Sequence, residues 1–215
     1  MDEIVTYILN TLGTVAFSVS GALVAISCGL DLFGVFFLGI VTACGGGILR
    51  DLIIGNTPPM IFSDVTTLII AGATALAVFT IAYIKTQRFK NISEKIERIN
   101  NVFDAIGLAT FTITGIEVVF SVSHGANSCL AIIMGLITGV GGGIFRDVLV
   151  SKPPYIFRKH IYALASLAGA VVYYVFKVYV GVPYLDSVLA MGLIFAIRMI
   201  ATKYKWELPK VKIDK

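Results

Sequence analysis

The residues best placed to do chemistry fall in two blocks, "CGGGILRD" at 44–51 and "VGGGIFRD" at 140–147. Three consecutive glycines weaken a helix by roughly 2–3 kcal/mol relative to alanine. They also bare backbone N–H and C=O groups. In lipid an unpaired backbone group costs several kcal/mol and survives only where it is buried in protein or lines a water-filled cavity. Gly45, Gly46 and Gly47, with Gly141, Gly142 and Gly143, are therefore expected to break their helices beside a polar path. Arg50 and Asp51 follow the first triplet, and Arg146 and Asp147 the second. Ionisable residues inside an apolar stretch are functional candidates by default and usually face an aqueous path. The chemistry implied is the passage or holding of ions, not bond making.

Two plainer explanations compete. Small residues let membrane helices pack closely, and Gly39 with Ala43, and Gly135 with Gly139, fit such a seam. A seam explains one face of each helix but not three glycines pointing in three directions. Arginines near a helix end can also snorkel to the interface, which an aspartate is too short to do far. Neighbouring helical residues point about 100° apart, so Arg50 and Asp51 are not expected to pair with each other. A partner from the other block, such as Asp147 for Arg50, is the alternative. Ser18, Ser20, Thr112 and Thr114 are candidates for bonds across helices or for lining the path, with plain packing the expected role for most, and Asp104 and Glu117 are candidates for cation attraction. Pro58, Pro59, Pro153 and Pro154 read as helix starts, where a missing N–H is harmless.

Other classes fare worse. The chain has no HExxH, no paired histidines and no convincing Ser-His-Asp set, and no Lys-Ser or Lys-Thr follows the triplets, as a phosphate loop requires. Cys28, Cys44 and Cys129 lack metal-ligand spacing and read as small packing residues. His124 and His160 stand alone near helix ends. Neither an enzyme nor a cofactor or metal site is expected.

The elements that position the blocks follow from composition. The chain is 57% hydrophobic and 14% charged, with a mean hydropathy of +0.91; soluble domains carry about 25% charged residues. A spanning helix needs about 20 apolar residues, and seven stretches qualify: 4–25, 33–54, 64–84, 102–121, 129–150, 160–180 and 184–201. The expected fold is an all-α membrane protein, one transmembrane domain over 1–201 with a basic tail at 202–215. The opening "MDEIV" is acidic and unlike a signal peptide, so the first helix is expected to stay in the mature protein. Lysines and arginines gather at 85–101, 151–159 and the tail, while the turns at 55–63, 122–128 and 181–183 have none. By the positive-inside rule the C-terminus is cytoplasmic and the N-terminus outside. Lys177 is a minor exception. Basic residues spread over loops give no support to nucleic-acid binding.

The chain is duplicated. "LGTVAFSVSG" (12–21) matches "IGLATFTITG" (106–115), with Asn10 where the second copy has Asp104. "LGIVTACGGGILRDLII" (38–54) matches "MGLITGVGGGIFRDVLV" (134–150), and "PPMIF" (58–62) matches "PPYIF" (153–157). Repeat one covers about 4–84 and repeat two about 102–180. Three helices per copy force opposite crossing senses, giving an inverted repeat of the kind on which many transporters are built. The seventh helix, 184–201, has no partner and is expected to pack or to make oligomer contacts.

The two "GGG-I-x-R-D" blocks, the double prolines after them and the three-plus-three-plus-one layout resemble prokaryotic members of the trimeric intracellular cation (TRIC) channel family, over essentially 1–201. The resemblance implies a homotrimer with one pore per protomer, glycine-broken second and fifth helices around it, and permeation of monovalent cations, chiefly potassium, with potassium or sodium ions and membrane lipids as partners. For a short prokaryotic-looking chain it implies the plasma membrane. The lysine-bearing motif that animal members carry beside the first triplet is "TAC" here, so its lipid-linked gating role does not transfer. The wider family includes bacterial relatives regarded as glycine transporters, so a small-solute transporter of the same fold is the alternative function.

Overall fold

The computed structural model describes residues 3–84, 93–122, 127–158, 161–182 and 184–206. Seven helices are long and apolar enough to cross a membrane. They are α1 (Glu3–Ser27), α2 (Leu32–Ile53), α3 (Thr66–Ile84), α4 (Ser93–Val122), α5 (Ser128–Leu149), α6 (Tyr162–Val175) and α7 (Leu185–Tyr204). A π-helical turn, Phe176–Val180, extends α6. Single-turn helices at Met60–Ser63 and Tyr155–Arg158 follow the two double prolines. The prolines thus start helices as expected, but short ones that precede the third span of each repeat. The fourth helix departs from its expected start at 102. It begins at Ser93, so part of the polar 85–101 stretch is helical. The basic residues at 85–90 and beyond 206, with Lys159, His124 and His160, lie outside the described residues.

Local chemistry sets the corners. Gly29 adopts a left-handed conformation, φ +73°, and turns the chain out of α1. Asp31 then caps α2, its side chain accepting from the Gly34 N–H at 2.8 Å. Asn127 does the same for α5, accepting from the Cys129 N–H at 3.0 Å. Such caps satisfy donors that a helix start otherwise leaves open.

Packing repeats the duplication. α1, α2, α4 and α5 form the centre: α1 packs on α2 and α4, α4 on α5, and α2 on α5. α3 lies against α1 and α2, as α6 lies against α4 and α5. α7 packs on α4 and α6. Of the side chains offered for bonds across helices, Thr114 bonds the Phe111 carbonyl of its own helix, while Ser18 and Thr112 bond across helices in matching places. Ser18 Oγ donates to the Ala71 carbonyl at 2.7 Å, and Thr112 Oγ1 lies 2.7 Å from Ser166 Oγ. Each joins the first helix of a repeat to its third. Lys177, the exception to the charge rule, pairs with Glu117, whose Oε1 also accepts from Tyr173 Oη at 2.7 Å.

Candidate functional site

The glycine triplets do not break their helices. α2 and α5 run through them as continuous α-helix. The physical reason is the crossing of the two helices. A Cβ on Gly46 would lie 2.1 Å from the Thr138 carbonyl oxygen, and one on Gly142 would lie 2.0 Å from the Thr42 carbonyl oxygen. Real Cβ contacts never come that close, so only glycine permits this approach. Gly45 faces the Phe145 ring, 2.6 Å from a would-be Cβ, and a Cβ on Gly141 would lie 3.0 Å from Gly46 Cα. Two of three glycines in each block are thus packing surface, the explanation the sequence reading set second. The third differs. Among the described residues the only group within 4 Å of a would-be Cβ on Gly47 is Arg50 Nη2, at 3.8 Å. At Gly143 the neighbours are Tyr162 Oη at 3.2 Å, Arg146 Nη2 at 3.7 Å and Asp104 Oδ1 at 3.9 Å. The third glycine of each block therefore faces its own arginine.

A second correction concerns the Arg-Asp pairs. Each arginine bonds the aspartate next to it: Arg50 Nε to Asp51 Oδ1 at 2.8 Å, and Arg146 Nε to Asp147 Oδ1 at 2.8 Å. The side chains leave the helix about 100° apart, but the arginine stem is long enough to curl its guanidinium back. The aspartate is held in reach by its other oxygen. Asp51 Oδ2 accepts from the Met60 N–H at 2.9 Å, and Asp147 Oδ2 from the Tyr155 N–H at 2.8 Å. Each aspartate thus clamps the turn after the double proline with one oxygen and its arginine with the other. Asp147 is not the partner of Arg50.

Contact between the repeats runs instead through Arg146. Its Nη1 lies 2.6 Å from Asp104 Oδ1 and donates to Ser20 Oγ, of repeat one, at 2.6 Å. Ser20 Oγ donates to Asn100 Oδ1 at 2.8 Å. On the far side of Asp104, Arg198 Nη2 of α7 lies 3.8 Å from Oδ2, and the Arg198 guanidinium sits 4.5 Å over the Tyr162 ring. Tyr155 stacks under Arg146 at 5.4 Å. Three arginines (50, 146, 198) face three aspartates (51, 104, 147), all buried, and the charges cancel. Buried charge is tolerable only when paired and hydrogen-bonded in this way. Arg146 Nη2 and Tyr162 Oη have no hydrogen-bond partner among the described residues; both border Gly143.

Arg198, Tyr162 and Asn100 were not foreseen. The signal for Arg198 is a basic residue deep in the unpaired seventh apolar span, and for Asp104 its place as the charged counterpart of Asn10. Among the described residues no group of three His, Cys, Asp or Glu could hold a metal ion.

Two repeats of three spanning helices, a seventh helix and buried, self-neutralising charge at the centre define a multi-pass membrane protein of the inverted-repeat class. A family model described as "Glycine transporter" matches residues 7–83 and 101–178. The UPF0126 inner membrane protein YadS of Escherichia coli (strain K12) is 37% identical over 214 residues, 97% of each chain. A solved structure described as the structural basis for conductance through TRIC cation channels is 35% identical, with a TM-score of 0.80 over 97% of this chain and 98% of that one. The TRIC orthologue from Rhodobacter sphaeroides is 33% identical, with a TM-score of 0.83 over 94% and 99%. The chain belongs to the TRIC-like family of UPF0126 membrane proteins.

Proposed function

We propose that the chain is a monovalent cation channel, permeable to potassium or sodium. One path per protomer runs beside α2 and α5, past Gly47 and Gly143, with Gly45, Gly46, Gly141 and Gly142 packing the crossing beside it, and is gated at Arg50, Asp51, Arg146 and Asp147. The observation that carries this reading is the likeness, over nearly the whole of both chains and at 35% identity, to a TRIC cation channel. The site supports it. Gly47 leaves open space in front of Arg50, a small-residue face beside charge at the centre of the helix bundle. Unopposed arginines would repel cations and favour anions. Here Asp51, Asp104 and Asp147 cancel them, so the path need not select anions. Moving one charge through the full potential is worth about 2.3 kcal/mol per 100 mV, so a partial displacement of an arginine makes opening voltage-sensitive. The protein works as a homotrimer among plasma-membrane lipids, N-terminus outside and C-terminal tail cytoplasmic. The trimer is taken from the neighbours' description as trimeric channels, and the orientation from the charge of the loops.

The family model's description favours a second reading, a glycine transporter of the same fold. Purified protein in a planar bilayer separates the two. A channel gives unitary current steps with a reversal potential set by the potassium gradient. Absence of steps, with saturable glycine uptake into proteoliposomes, would overturn the channel.

A further inference from the structure

The two arginines occupy matching positions of a duplicated motif, yet they are not held alike. Arg146 is completely buried (0% exposed) and gripped on several sides: by Asp147 at 2.8 Å, Asp104 at 2.6 Å and Ser20 at 2.6 Å, with Tyr155 below. Asp104 is itself braced by Arg198 from α7. The bond to the neighbouring aspartate recurs in repeat one; among the described residues the other supports do not. Asn10 stands where Asp104 would be, and Met60 stands where Tyr155 is. The seventh helix packs on α4 and α6 and brings its arginine to the second repeat. Among the described residues the ion-pair partner of Arg50 is Asp51 alone, through Nε at 2.8 Å and Nη2 at 2.7 Å. Arg50 is 8% exposed and faces the open side of Gly47.

We infer that Asp104 and Arg198 pin Arg146 as a fixed charge, which leaves Arg50 as the mobile one of the two motif arginines. An arginine bound only by the residue beside it can swing away by rotating its own side chain. One bound by α1, α4 and its own helix can leave only if those helices part. Asp104 and Arg198 are therefore positioning residues, acting through Arg146. The last step rests on the channel reading: the charge that moves with opening comes from repeat one, so the two halves of the inverted repeat divide into a static side and a gating side.

Phenylglyoxal, which forms adducts with accessible guanidinium groups, tests the asymmetry directly on the full-length protein in liposomes, with adducts located by peptide mass spectrometry. The reactivity of a buried group follows how often its surroundings open. Arg50 is expected to be modified at least about tenfold faster than Arg146 or Arg198. Asn10→Asp, which gives repeat one the carboxylate that repeat two already has, should slow Arg50 modification several-fold. Asp104→Asn should speed modification of Arg146. The parent comparison needs no variant and so stands even if Asp104→Asn fails to fold. Equal rates at Arg50 and Arg146 in the parent overturn the inference whatever the currents show. In the bilayer, Asn10→Asp should flatten the voltage dependence of opening. An Asn10→Asp channel that gates like the parent while its Arg50 is protected overturns the gating step. Asymmetric labelling in a parent that passes no current would instead sink the channel reading and leave the fixed and mobile arginines in place.

Discussion

Alanine in place of Gly46 and alanine in place of Gly47 should move stability in opposite directions, although the two positions are adjacent. Both substitutions gain helix propensity, about 1 kcal/mol each. At Gly47 nothing opposes that gain, since a new Cβ finds only Arg50 Nη2 at 3.8 Å. At Gly46 the new Cβ would sit 2.1 Å from the Thr138 carbonyl oxygen, with the Thr138 carbonyl carbon at 3.0 Å. That is about 1.3 Å short of ordinary contact, and the obstacle is backbone in the middle of a helix, which cannot rotate aside. α2 and α5 must separate along their whole crossing, and Gly141, where a would-be Cβ lies 3.0 Å from Gly46 Cα, would lose its close approach too. Overpacking costs about 1–3 kcal/mol and sometimes more, and an obstacle of helix backbone puts this case at about 2–3 kcal/mol. After the propensity gain is subtracted, a loss of about 1–2 kcal/mol remains. For a chain of this size that lowers the melting temperature by about 2–8 °C, while Gly47→Ala should raise it by about 2–4 °C. Thermal melting of the purified protein in one detergent, followed by tryptophan fluorescence or light scattering, measures both. Gly142→Ala repeats the test in the second half, where the carbonyl is Thr42 at 2.0 Å. If Gly46→Ala melts at or above the parent temperature, or if Gly47→Ala falls with it, the glycines are not there for the crossing. A flexible break would then be the better account of the triplets.

Arg146→Met strands Asp104 and Asp147 without their shared partner and should cost about 3–5 kcal/mol; Arg50→Met should cost clearly less, and equal melting temperatures for the two variants would contradict the difference in their surroundings. Asp51→Ala removes the acceptor of the Met60 N–H and Asp147→Ala that of the Tyr155 N–H, each worth about 1–2 kcal/mol as a helix cap. Hydrogen exchange at Met60 or Tyr155 should rise in the matching variant only, and exchange unchanged at that amide would count against the clamp. Light scattering of the detergent complex should give a protein mass near three times that of one chain, and a mass fitting one or two chains would count against the trimer. Cysteines placed at Lys90 and at Lys210, in a background lacking the native cysteines, should label from the same side of the membrane; labelling from opposite sides would show the topology to be wrong.

What the sequence disclosed and what it hid follow one physical division. Hydropathy over about 20 residues counts atoms along the chain, so the seven spans were legible to within a few residues, and the duplication was legible because both copies keep their order. The fourth helix started early because 93–101 is polar and hydropathy is blind to a helix that continues past the lipid. The glycine triplets were misjudged for a different reason. Propensity treats a glycine in isolation, where it weakens a helix, and has no account of a partner helix whose carbonyl needs that space. Thr42 and Thr138 lie on helices that meet only because the repeat folds back on itself, a contact that no local window contains. The arginine pairs failed on a third count. An angle of 100° between neighbouring residues fixes where the side chains start, not where a long flexible stem ends, and it says nothing of the Met60 and Tyr155 N–H groups that hold the two carboxylates in place. Yet one difference was legible in the alignment of the copies: Asn10 against Asp104. An inverted repeat with identical halves would carry the same charge in both. This added carboxylate becomes intelligible once Arg198 arrives from the unpaired seventh helix, because a second buried arginine beside Arg146 requires a second buried acid. Repeat one lacks both, and its arginine is the less tightly held. The helix that breaks the three-plus-three symmetry and the residue that breaks the sequence match are thus one asymmetry, seen at two scales.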